Sequence, residues 1–176
     1  MSQIITAIIA VGGTLLGVLI THLFMERSID KKYKLENLTQ QNERLRNRGE
    51  ELYILVSKWK RLFLAAHITL PLVMQGEISY NDYSDDLNSI EDTESDPHRM
   101  QLIIHAYFPT LKKQYEKIGS ALKASNKIID EHEHACKQKK DGQEFIKPFN
   151  EAQIKLHQEC EVLKEEIIKQ LLAIDR

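Results

Sequence analysis

The chain has 176 residues, 24 Lys and Arg against 26 Asp and Glu, a formal charge of −2, 42% apolar residues and 2 cysteines. A near-neutral balance with dispersed basic residues leaves no footprint for nucleic-acid binding, so few cysteines make no disulfide framework, and the length fits one domain plus an appendage. The apolar content is unevenly placed: Ile4 to Met25 carries no charged side chain, and everything after it is densely charged.

The first predicted element is a membrane anchor over residues 1–25. From Gln3 to Met25 about 23 residues rise 1.5 Å each as a helix, enough for the roughly 30 Å hydrocarbon layer with some tilt. A cleavable secretory signal would need a basic start and a small-x-small site, whereas "MSQ" has neither Lys nor Arg and the run leaves through "HLFMERS". Arg27, Lys31, Lys32 and Lys34 follow directly, so the positive-inside rule puts the N-terminus outside and the rest of the chain in the cytoplasm. His22 falls at the expected boundary and reads as an interfacial side chain. Gly13 and Gly17 give the small-xxx-small spacing that lets membrane helices approach closely, and Thr21 extends that face.

Residues 26–51 read as a basic coiled-coil stem continuous with the span, because no proline intervenes before Pro71. Leu38, Leu45, Leu52, Trp59 and Ala66 form one heptad row; Leu35, Asn42, Gly49, Val56 and Phe63 form the other. The expected seam is Leu35, Leu38, Asn42, Leu45 and Leu52. Asn42 suits the register-fixing role of a polar residue at an a position, and Gly49 weakens the seam by removing a knob and by poor helix propensity. Stepping both rows back by sevens reaches Gly17 and Thr14, so span and stem together predict a parallel homodimer. From Leu52 onward the apolar face broadens at Trp59, Leu62, Phe63 and Leu64, which points to packing within one chain.

Residues 52–176 are expected to form a helical bundle with an acidic loop at 77–98. Pro71 breaks the first helix, Gly76 turns the chain, and Ser79 caps a short helix carrying Tyr83, Leu87 and Ile90. No Lys or Arg lies between Arg61 and Arg99, while Glu77, Asp82, Asp85, Asp86, Glu91 and Asp92 accumulate with Glu94 and Asp96. The calcium-loop pattern is absent, so the segment reads as an acidic docking patch for a basic partner. Asp96 and Pro97 start a helix that runs to Pro109. Two long amphipathic helices follow, one through Leu111, Ile118, Ser125, His132 and Cys136, the other from Phe149 through Leu156, Cys160 and Ile167. A turn near Asp141 and Gly142 makes them an antiparallel hairpin.

His132 with Cys136 and His157 with Cys160 are spaced for zinc ligation on helical faces. A turn at Asp141 and Gly142 offsets the pairs by roughly 18 Å, too far for a shared metal, and both cysteines fall on apolar stripes. Buried, unbridged thiols are therefore expected. No Walker loop, nucleophile elbow, dinucleotide fingerprint or kinase signature occurs, so neither catalysis nor a cofactor is expected.

The fold expectation is all-α: a single transmembrane helix, a long amphipathic stem and a cytoplasmic antiparallel bundle. The layout is similar to that of small bacterial single-span proteins, which implies an inner-membrane location and gives no residue a role. The expected function is a non-enzymatic, membrane-anchored interaction or scaffold protein, with the lipid bilayer, a second copy and an unidentified protein as partners. The alternative is a membrane-perturbing effector or spanin-like lysis protein acting through oligomerised spans. An enzyme or metalloprotein using the histidines and acidic loop is the third class.

Overall fold

A computed structural model describes the backbone of residues 2–83, 85, 96–138 and 142–174, and their side chains except at 2–24, 26–28 and 30. The described residues are helices joined by turns, with no strand among them, so the chain is all-α. Helix α1 is Ser2–Met74, α2 is Pro97–Tyr107, a 3-10 turn covers Pro109–Leu111, α3 is Lys112–Lys137 and α4 is Gln143–Ile174. The chain divides into two units, Met1–Arg44 and Leu45–Arg176.

In the first unit every side chain from 31 to 44 is exposed. Local bonds hold this stretch of helix: Thr39 Oγ1 donates to the Leu35 carbonyl at 3.0 Å, and Lys32 pairs with Glu36 one turn on at 3.9 Å. Among the described residues no helix is long and apolar enough to cross a membrane. The side-chain surroundings of the expected anchor, Met25 apart and the Gly13, Gly17 and Thr21 face included, lie outside the described residues.

The second unit is a bundle with two apolar clusters. In the first, Leu52, Val56, Trp59 and Phe63 of α1 meet Met100, Ile103 and Ile104 of α2, Ile118 of α3, and Leu156, Cys160, Leu163 and Ile167 of α4. The second holds Leu70, Met74, Tyr83 and Phe149. Both heptad rows beyond position 52 are thus spent on the chain's own core, as the broadening apolar face suggests. Gly49 belongs to the same packing. It is buried, and a Cβ there would come within 2.5 Å of Leu171 Cδ2 and 3.2 Å of Phe108 Cζ. Its missing side chain admits α4 and Phe108 rather than loosening a two-chain seam.

Helix ends follow local chemistry, with two departures from expectation. Helix α1 continues past Pro71 to Met74. Proline forfeits its N–H bond and crowds the carbonyl one turn back, a cost met here close to the helix end, and one further turn closes on Gly76, whose φ of 77° lies in the left-handed region. There Gly76 N–H donates to the Val73 carbonyl at 3.0 Å and Glu77 N–H to the Leu72 carbonyl at 2.9 Å, the paired bonds of a glycine-terminated helix. Helix α4 likewise begins at Gln143 with Pro148 inside it, earlier than the expected start near Phe149.

The two capped starts behave as read. Asp96 Oδ1 accepts from Arg99 N–H at 2.8 Å ahead of Pro97. Ser79 Oγ accepts from Asp82 N–H at 3.2 Å, and Asp82 Oδ2 accepts from Ser79 N–H at 3.3 Å, a reciprocal cap for the helical residues 80–83. Leu87 and Ile90 lie outside the described residues.

The hairpin register comes from bonds between α3 and α4. Gln114 faces Glu159, Ser125 faces Gln153 and the His132 ring meets the Phe145 ring. Cys160 therefore stands opposite the first turns of α3. Cys136 is at the other end, roughly 28 Å away along the helix.

Candidate functional site

The residues expected to mediate interactions fall into three placements. Leu35, Leu38 and Asn42 are exposed on α1 in the first unit. Leu45 is half-buried, and Leu52 is wholly buried in the bundle core, so Leu52 is an intrachain position. On the acidic segment Glu77, Asp82 and Asp85 are exposed. Asp86, Glu91 and Asp92 lie outside the described residues. Asp82 is anchored rather than free-swinging: besides its capping bond, its carboxylate accepts from Ser79 Oγ at 2.7 Å.

The histidine and cysteine pairs separate in character. Cys160 is buried, and that burial pushes its thiol up to about 12, which leaves it protonated and inert. Cys136 is exposed, contrary to the expected core thiol. The buried stripe of α3 runs through Gln114, Ile118, Ala121, Ser125, His132 and Ala135, rotated toward the Gln114 side of the expected stripe. Ala135 faces in and Cys136 faces out. Cys136 Sγ lies 3.2 Å from His132 Nε2, while His132 Nδ1 is buried without a partner among the described residues. Burial holds the His132 imidazole below its usual value. The pair sits at the C-terminal end of α3, where the helix dipole disfavours a thiolate. Among the described residues no group of three or more His, Cys, Asp or Glu is placed to hold a metal ion.

Polar links that the sequence does not disclose join the helices. Arg99 Nε donates to Glu51 Oε1 at 2.6 Å and Arg48 Nη1 to Glu51 Oε2 at 2.5 Å, tying α2 to α1. The Arg99 bond is the main reason the Glu51 carboxyl stays below its usual range. Lys60 Nζ donates to Glu161 Oε1 at 2.6 Å, and Lys164 reaches the same oxygen at 3.2 Å while lying 4.9 Å over the Tyr53 ring. Next to that group the His67 and His157 rings stand edge to face at 5.7 Å. Burial, then the charge of Lys60, holds His157 below its usual value.

Such pairs carry only i,i+4-like or cross-helix signals, which any charged helix offers in many combinations. Gln114 shows the same limit: a polar residue in a stripe position reads as surface. Here it is buried because its Nε2 donates to the Glu159 carbonyl at 3.0 Å and to Glu159 Oε2 at 2.7 Å. The described surface presents the exposed apolar side chains of Leu35 and Leu38 and the exposed carboxylates of Glu77, Asp82 and Asp85. No protein-family model, curated protein or solved structure matches the chain.

Proposed function

We propose that the chain is a single-pass, membrane-anchored, non-enzymatic interaction protein. Residues 1–25 fix it in the inner membrane with the N-terminus outside, the stem pairs two copies in parallel, and the bundle meets a protein partner in the cytoplasm. The observation that carries the reading is the exposed stem: Leu35 is 65% and Leu38 56% exposed, at the a and d spacing, in a stretch where no side chain from 31 to 44 is buried. Large apolar side chains repeated on one helical face seek a second surface. The charge-free run of Ile4 to Met25 and the basic residues after it support the anchor and its orientation. The exposed Glu77, Asp82 and Asp85 supply the docking edge.

Single cysteines in native membranes test the pairing. In a Cys136→Ser background, Leu38→Cys is expected to give disulfide-linked dimers under mild oxidation, and Gln40→Cys, on the opposite heptad face, is not. Equal yields at both positions, or none at 38, would overturn the two-chain stem.

A further inference from the structure

Two exposed stripes run side by side on the bundle, one on α1 and one on α4. Ile54, Leu64 and Ile68 of α1 and Ile154, Ile168 and Leu172 of α4 are each between 42% and 62% exposed. The helices are antiparallel neighbours here: Lys60 bonds Glu161, and the His67 ring stands against the His157 ring. From those contacts outward, Ile54 lies about level with Ile168, Arg61 with Glu161, and Ile68 with Ile154, each step one heptad. The stripes differ in charge. From Leu52 to Met74 α1 carries Lys58, Lys60 and Arg61 and no carboxylate, whereas α4 from Glu151 to Glu166 carries five Glu and two Lys. Tyr83 and Pro97, on either side of residues 86–95, line a cavity with Leu62 and Ala66. Leu62 and Ala66 precede Leu64 and Ile68 by two residues, so they face nearly the opposite side of α1.

Lys60 and His67 mark the side of α1 that meets α4, and the α1 stripe is turned about a quarter of the way round the helix from them. The α4 stripe is likewise turned aside from His157 and from Lys164, which lies over Tyr53 of α1. Two neighbouring helices that each present a face beside their mutual contact make half of a four-helix square. We infer that a second copy of this chain completes it: two bundles pair about a two-fold axis along the helices, α1 of each copy on α4 of the other. Rotation about such an axis preserves height, so the level positions become contacts, Ile54 on Ile168 of the second copy and Ile68 on its Ile154. Lys58 then faces the exposed Glu165 of the second copy, whereas an axis across the helices would set it beside Gln158. The basic stretch of α1 and the acidic stretch of α4 meet twice, once from each copy, as an isologous contact requires. The contact uses none of residues 26–44 and does not depend on the stem pairing.

Two differently tagged full-length copies, both Cys136→Ser, are expressed together and their membranes are mildly oxidised. Ile68→Cys in one copy with Ile154→Cys in the other is expected to give a disulfide-linked mixed dimer. Ile68→Cys with Ile168→Cys is expected to give none, because two heptads of α4 set those positions roughly 21 Å apart, beyond the ~7 Å between α-carbons that a disulfide spans. Glu165→Lys in both copies brings like charges together twice across the two-fold contact and is expected to lower the yield from 68 with 154 about tenfold. Adding Lys58→Glu is expected to restore it. Should the charge variants fail to fold, the two cysteine pairs in the otherwise unaltered chain still decide. The inference is overturned by the absence of a mixed dimer from 68 with 154, by an equal yield from 68 with 168, or by folded charge variants in which Lys58→Glu restores nothing. Linkage at Leu38→Cys with none between 68 and 154 would overturn this contact and spare the stem pairing; the converse would spare this contact and overturn the stem.

Discussion

Replacing Leu52 by Ala is expected to cost the bundle about 2–5 kcal/mol, the range for truncating a fully buried leucine that leaves a cavity, whereas Leu38→Ala is expected to change it by less than about 0.5 kcal/mol. The two residues share one heptad row, two repeats apart, and both belong to the expected seam. Leu52 has no exposed surface and packs in the core with Val56, Ile104 and Ile167; Leu38 is 56% exposed. Denaturant unfolding followed by Trp59 emission reads the bundle directly, because Trp59 lies in the same core cluster. Similar losses from both variants would mean that the row keeps one partner throughout, and the division between stem and bundle would fail.

The second large effect is expected at Gly142, between α3 and α4. A Cβ there would come within 2.6 Å of the Met74 carbonyl oxygen and 2.6 Å of His132 Nε2. The carbonyl belongs to the last turn of α1, and His132 is 1% exposed, so neither neighbour yields without moving a helix end or a buried ring. Gly142→Ala is expected to destabilise the bundle by about 1–3 kcal/mol, the usual cost of overpacking. It should also change the alkylation rate of Cys136, whose thiol meets the same imidazole nitrogen. Gly119→Ala is the matched control. A Cβ at mid-helix Gly119 meets nothing within 4 Å, and the substitution is expected to stabilise by up to about 1 kcal/mol through helix propensity and lost chain entropy. If the two variants behaved alike, the close approach of α1, α3 and the turn would be refuted.

The starts at Ser79 and Asp96 and the all-α class were legible because each rests on chemistry local to a few residues. Asp96 with Pro97, and Ser79 with Asp82, announce themselves by cap geometry that needs no knowledge of the fold. Prolines were over-read: Pro71 and Pro148 each remove one helical bond, and tertiary packing around Leu70, Met74 and Phe149 tolerates that loss near a helix end. Which surface a stripe meets is not local, and there the sequence is silent. Gly49 looks like a gap in a coiled coil until Leu171 and Phe108 occupy it. Cys136 looks like core until the buried stripe of α3 is seen to run through Gln114, His132 and Ala135 instead. A cavity lined by Trp59, Tyr83, Pro97, Leu122 and Gln153 draws on α1, the segment at Tyr83, α2, α3 and α4, so periodicity within any one helix could not reveal it.

We propose a chain held in the membrane by residues 1–25 with the bundle on the cytoplasmic side. A C-terminal fusion to a reporter active only in the cytoplasm, alongside one active only in the periplasm, tests this most directly when fractions are washed with alkaline carbonate. The expected result is cytoplasmic activity alone, retained in the washed membranes and released when residues 1–25 are deleted. Periplasmic activity, or a reporter that washes off with residues 1–25 intact, would contradict the account.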